Sequence, residues 1–93
     1  MAVLVIADVP GGSADQDKAM MEALNLASDP PAGNRLRLAG PTDSGWRIVS
    51  LWDSQEAFDT FRRERLAPTL EKMGGGAPAP TFAVSPIESV IIR

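Results

Sequence analysis

With 93 residues the chain has room for one domain, spanning 1–93; a domain this small buries roughly 60–65% of its unfolded surface, so pairing with a second copy would strengthen a marginal core. Nine Lys and Arg against 12 Asp and Glu give a net charge of −3, which argues against binding nucleic acid through its phosphates. The chain has no Cys, His or Tyr, which excludes disulfides, thiol nucleophiles, Cys/His zinc sites, and a histidine acting as base or haem ligand.

The first element is predicted from Ala2 to Val9, AVLVIADV. An apolar, β-branched run of this length fits a central strand buried on both faces, and Pro10-Gly11-Gly12 ends it too early for a helix. Its apolar part is too short for a signal peptide's core and cleavage site, and no segment is long enough to cross a membrane, so a cytoplasmic protein without a membrane partner is expected.

Ser13-Ala14-Asp15-Gln16 reads as a capping box opening a helix, with Met20, Ala23, Leu24 and Ala27 at helical spacing until Asp29-Pro30-Pro31. Asn25 on this helix is either solvent-facing or a donor to a ligand oxygen. Arg35 to Ala39 alternates strictly, Gly40 to Gly45 forms a turn, and Trp46 to Trp52 is the hairpin's second strand. Asp53-Ser54-Gln55-Glu56 reads as a second capping box, Asp53 with Glu56, before a helix whose apolar face is Ala57, Phe58 and Phe61. Pro68 interrupts that helix, and Leu66, Leu70 and Met73 supply contacts for a short continuation. Arg62 to Arg65 reads as a solvated helix end. Gly74 to Pro80 is expected to be a mobile flap at the cleft's edge. The last strand covers Thr81 to Ser85 and Ile87 to Ile92, broken or bulged at Pro86, at a sheet edge.

The order β-α-β-β-α-β predicts an α+β, ferredoxin-like fold. Its four-stranded antiparallel sheet carries both helices on one face, with strands one and three central and strand two at an edge. If the hairpin pairs even residues with even, Leu36, Leu38, Trp46, Ile48, Ser50 and Trp52 lie beneath the helices, and Arg35, Arg37, Arg47, Val49 and Leu51 lie on the other face. No third layer covers that second face, so a homodimer packed sheet against sheet is expected.

The span Gly45 to Phe58, GWRIVSLWDSQEAF, resembles the third-strand-to-helix passage of dimeric α+β barrel proteins of the antibiotic biosynthesis monooxygenase-like superfamily. The resemblance, extended by the element order over nearly the whole chain, implies a ferredoxin-like monomer, a homodimer whose sheets form a barrel, and a pocket between sheet and helices. The family includes cofactor-free oxygenases of aromatic polyketides, haem-degrading enzymes and isomerases. Positions near Phe61 often carry histidine in the family, and the Ser50 position is acidic in many relatives; this sequence departs at both.

The candidate ligand site is Trp46, Ser50, Trp52, Phe58 and Phe61, either a packed core or a pocket for a planar, largely apolar ligand held by one or two hydrogen bonds. A cofactor-free oxygenase with these residue types needs a substrate that forms its own carbanion and passes an electron to oxygen, while the protein desolvates it. No cofactor is expected and no metal, since the carboxylates are scattered. Arg35, Arg37 and Arg47 either hold an anionic ligand or pair with Asp8, Glu88 or a partner-chain carboxylate. The function expected is therefore small-molecule binding or cofactor-independent monooxygenase-like activity; the alternative is a non-catalytic structural or regulatory dimerisation module. An RNA-binding sheet of the same topology expects exposed aromatic residues on its strands in a basic surface, which this acidic chain does not offer.

Overall fold

The computed structural model describes residues 1–72 and 80–92. Met73 and the Gly74–Ala79 part of the expected flap lie outside them. The elements are β1 (Val3–Pro10), α1 (Ala14–Leu24), β2 (Asn34–Thr42), β3 (Gly45–Trp52), α2 (Gln55–Phe61), a π-helical segment (Arg62–Leu66), α3 (Ala67–Lys72) and β4 (Thr81–Pro86). The strands form one antiparallel sheet in the order β2-β3-β1-β4. This is the expected ferredoxin-like α+β arrangement, with β1 and β3 central and β2 and β4 at the edges.

β1 shows why the sheet has two different faces. Val3, Val5 and Ala7 are buried, whereas Leu4, Ile6 and Asp8 between them are half-buried. The first set packs with Trp52 and Phe58 into the core, flanked by Ala57, Phe61, Phe82 and Val84. Within the single chain, the run expected to be buried on both faces is buried on one.

The hairpin register differs from the even-with-even expectation. Thr42 pairs with Gly45 across Asp43-Ser44, and Leu38 with Val49, Arg37 with Ser50, Leu36 with Leu51. Strand pairing thus runs through Gly40, Pro41 and Thr42, leaving a two-residue turn. That loop length fixes even residues against odd ones. A bulge at Arg35 then resets the register so that Asn34 meets Trp52. Leu36 and Leu38, expected beneath the helices, therefore share the outer face with Val49 and Leu51 and are 48% and 57% exposed. Arg37, expected outside, lies on the inner face. Trp46, Ile48, Ser50 and Trp52 lie on the inner face, as read from the sequence.

Gly45 closes this turn against β1. A Cβ there would stand 2.2 Å from the Val9 carbonyl oxygen and 2.6 Å from the Gly11 nitrogen. Both are backbone atoms already hydrogen-bonded, Gly11 N–H donating to Ser44 O and Val9 O accepting from Gly12 N, so they cannot move aside cheaply. Gly45→Ala is expected to cost about 1–3 kcal/mol, measured as a lower midpoint in urea unfolding; an unchanged midpoint would contradict this account.

Ser13 caps α1 as expected, its Oγ accepting from Gln16 N at 3.2 Å. The helix stops at Leu24 rather than reaching Ala27. Asn25 adopts the left-handed conformation (φ 55°, ψ 40°), its N–H donates to Glu22 O, and Leu26 N–H donates to Met21 O. This is a Schellman-type end, for which Asn is one of the few non-glycine residues suited. The exposed Asn25 thus serves as a terminator of α1.

Three further expectations change. The cap of α2 is Ser54, whose Oγ accepts from Ala57 N at 3.1 Å; the Asp53 carboxylate is held by Arg35 instead. Pro68 does not interrupt the helix. The turn before it widens to π geometry, with Ala67 N–H donating to Arg62 O, which relieves the clash a proline ring makes with the carbonyl four residues back. β4 ends at Pro86, and Ile87 to Ile92 continue outside the ladder after one bond from Ile87 N to Ala2 O at 3.0 Å.

Candidate functional site

The helices and the inner sheet face enclose a cavity of about 80 Å³. Its apolar wall includes Val5, Leu24, Trp52, Phe58, Phe61 and Phe82. Four of the five expected site residues, Ser50, Trp52, Phe58 and Phe61, line it together. Trp46 does not. It sits at the opposite end of β3, between Val9 and Pro41 and against Gly12, with its indole Nε1 buried and unpartnered among the described residues.

The aromatic residues pack on one another. Trp52 meets Phe58 edge-on at 5.5 Å between centroids and Phe61 at 5.2 Å, and Phe58 meets Phe82 at 5.7 Å. Trp52 and Phe58 are 3% and 2% exposed, so they act as core as well as lining. The Trp52 indole Nε1–H donates to Ser50 Oγ at 2.9 Å, which satisfies a buried donor as such a site requires. Because that bond uses Ser50 as acceptor, its own hydroxyl proton is left to donate elsewhere.

The polar side of the cavity comes from β2. Asn34 Nδ2 donates to the carbonyls of Leu36 and Leu51, both at 3.3 Å. Arg37 lines the cavity beside its cross-strand neighbour Ser50. The two-residue turn brings Arg37 to this wall and the bulge brings Asn34, so a register assumed without them misses both. The signal was available: Thr-Asp-Ser-Gly can close a two-residue turn, and turn length decides which face Arg37 takes.

Outside the cavity lies an open groove of about 470 Å³ between the loop at Pro31–Gly33 and the flank of α2, edged by Asp53, Glu56, Glu64 and Arg65. Phe61 and Pro31 line both spaces. Arg65, expected to be solvated, instead bridges the helices: its guanidinium donates to Leu24 O at 2.6 Å and Asp29 O at 2.9 Å. Arg62 lies over the Phe82 ring at 4.3 Å.

Arg35 and Arg47 make exposed ion pairs. Arg35 holds Asp53 with two bonds of 2.7 Å, and Arg47 holds Asp8 at 2.7 and 3.2 Å. Hydrogen bonding by these guanidinium groups pulls both carboxyls below their ordinary values. A carboxyl depressed on folding stabilises the native state above its unfolded pKa and loses that contribution as pH falls through its folded pKa. Stability should therefore fall below about pH 4. Asp8→Asn with Asp53→Asn should flatten that acid limb in thermal unfolding at pH 2–5, changing it only slightly because both pairs are solvated.

No protein-family model matches the chain, and no curated protein matches it. Solved structures do. Rv0793 from Mycobacterium tuberculosis superposes with a TM-score of 0.71 at 17% identity, covering 98% of this chain and 100% of that one. A candidate antibiotic biosynthesis monooxygenase from Deinococcus radiodurans gives 0.64 at 14% identity, covering 100% and 98%. A mutant of MhuD with two manganese protoporphyrin IX molecules bound per active site gives 0.62 at 16% identity, covering 100% of both. The chain has their fold. The resemblance seen at Gly45 to Phe58 thus extends through the complete architecture, while identities this low carry no activity across.

Proposed function

We propose that this protein binds a small, planar, largely apolar ligand between its helices and its sheet, as a homodimer joined through the outer sheet faces. The observation that carries the reading is the cavity: apolar side chains on most walls, and Ser50, Asn34 and Arg37 together on one. Few oriented polar groups in an apolar space is the usual composition of a ligand site. Two of the similar structures, the Deinococcus protein and MhuD, are described as an oxygenase candidate and a porphyrin-bound protein. A cofactor-independent monooxygenase-like reaction is the matching chemistry here. With no cofactor supplying reducing equivalents, its electrons would come from the ligand itself, as a carbanion that passes an electron to oxygen.

At about 80 Å³ the cavity is smaller than the roughly 300–1,000 Å³ of common ligand sites. The groove beyond Phe61 supplies the missing space. A turn of the Phe61 ring joins the two, and the ring's half-buried position leaves it room to move. A ligand then enters past Phe61 and lies against Trp52.

The alternative, a non-catalytic dimerisation module, is favoured by one observation: Trp52, Phe58 and Phe61 already fill most of the space between the layers. Mass spectrometry of small molecules released from the purified native protein separates the two. A planar compound recovered in stoichiometric amount supports the ligand reading. An empty protein whose tryptophan fluorescence no planar aromatic compound changes at millimolar concentration supports the module.

A further inference from the structure

Among the described residues Arg37 is the only ionisable one lining the cavity, and part of its guanidinium is already committed. Its Nη1 and Nη2 face the Asp17 carboxylate of α1, and Nη1 also lies 3.3 Å from Met21 Sδ. Asp17 therefore occupies the end of the guanidinium. The side edge, formed by Nε–H and the second Nη2–H, has no acceptor among the described residues. Such an edge is a planar two-donor fork with the spacing of a carboxylate.

Its neighbour extends the pattern. Ser50 is the cross-strand partner of Arg37, so their side chains rise from adjacent positions on the same face. The Ser50 Oγ accepts from Trp52, and its own hydroxyl proton has no acceptor among the described residues. Two neighbouring residues lining an otherwise largely apolar cavity thus carry three donors without an acceptor among the described residues. A wall rich in donors selects a ligand rich in acceptors.

On the reading of this cavity as a ligand site, we infer that Arg37 is the specificity-determining anchor, and that the ligand is an aryl carboxylate. Its carboxylate takes the Nε/Nη2 edge of Arg37 and the Ser50 hydroxyl, and its ring lies toward Trp52 and Phe61. Asp17 keeps the guanidinium oriented in the absence of ligand. Arg37 and Asp17 are both largely shielded, with side-chain exposures of 21% and 8%, so the fork is fixed before the ligand arrives.

The test uses benzoate and benzyl alcohol, which share a ring and differ in the carboxylate. Binding is followed by nuclear magnetic resonance at the Trp52 indole N–H, distinguished from that of Trp46 by Trp46→Phe. Benzoate should bind the native protein at least about tenfold more tightly than benzyl alcohol. The double variant Asp17→Asn/Arg37→Gln, which removes both charges together, should bind the two equally. Should that variant fail to fold, Arg37→Lys keeps the charge without the fork and should lose most of the preference. Equal binding of the two probes by the native protein, or a preference that survives loss of the fork, overturns the anchor and leaves the cavity as a ligand site. No response at Trp52 to either probe overturns both.

Discussion

Leu51→Asp is expected to convert the proposed homodimer into monomers at micromolar concentration. Leu51 shares the outer sheet face with Leu36, Leu38, Val49, Leu4 and Ile6, and no element among the described residues covers that face. In a two-fold interface each substitution occurs twice. Each buries an unpaired carboxylate at a cost of about 3–5 kcal/mol, and even one such cost weakens the dissociation constant by roughly two to four orders of magnitude. Leu51 is half-buried in the single chain, so some of the loss could fall on the fold. Leu38→Asp removes that ambiguity: Leu38 is 57% exposed, and a carboxylate there is harmless to a monomer. Sedimentation of the native chain and both variants decides the matter. A monomeric native chain, or a Leu38→Asp protein that still pairs, would overturn the sheet-to-sheet dimer.

The sequence conceals how apolar this outer face is. The element order and both central strands were legible because Val3 to Val9 and Trp46 to Trp52 have the composition of buried strands and are bounded by Gly, Pro and Asp. The first capping box was legible because Ser13 and Gln16 interact within one turn. The faces of β2 were not. They depend on where the turn closes, and Gly40, Pro41 and Thr42 have turn composition while lying in an edge strand, where a proline without an N–H costs no ladder bond. One residue of turn placement moved Leu36 and Leu38 outward and Arg37 inward. It made the outer face more apolar and gave the cavity its one charged lining residue among those described.

The helix after β3 is legible in part. The shared face of Phe58 and Phe61 can be read because their three-residue spacing survives any choice of cap. The cap itself cannot, because Asp53 and Ser54 are both suitable and the choice is made by Arg35, which reaches Asp53 from a bulge. Pro68 misled for a related reason: the compensation for it lies in backbone geometry, at Arg62 to Leu66, where no residue type announces a π turn.

Phe58→Ala and Phe61→Ala should have very different consequences, although the two rings touch the same tryptophan. Phe58 is 2% exposed and wedged between Trp52 and Phe82. Its truncation leaves a cavity that the sheet cannot collapse to fill, at a cost of about 3–5 kcal/mol. A domain of this size loses roughly 4–8 °C in Tm per kcal/mol, so the variant should melt about 12–40 °C lower. Phe61 is half-buried, with one side toward the cavity and the other toward the groove. Removing its ring merges the two spaces and exposes the Trp52 face that it covers. The variant should lose about 1–2 kcal/mol and keep its fold. It should bind planar aromatic compounds with a changed affinity and a blue- or red-shifted Trp52 emission on saturation. Calorimetry and fluorescence titration on the two variants separate the readings of this space. If Phe61→Ala melts as early as Phe58→Ala and no aromatic compound perturbs Trp52, then Phe61 belongs to a packed core and the protein is the dimerisation module. If only Phe58→Ala is crippled, Phe61 is a movable wall, and the space behind it exists to be filled from outside.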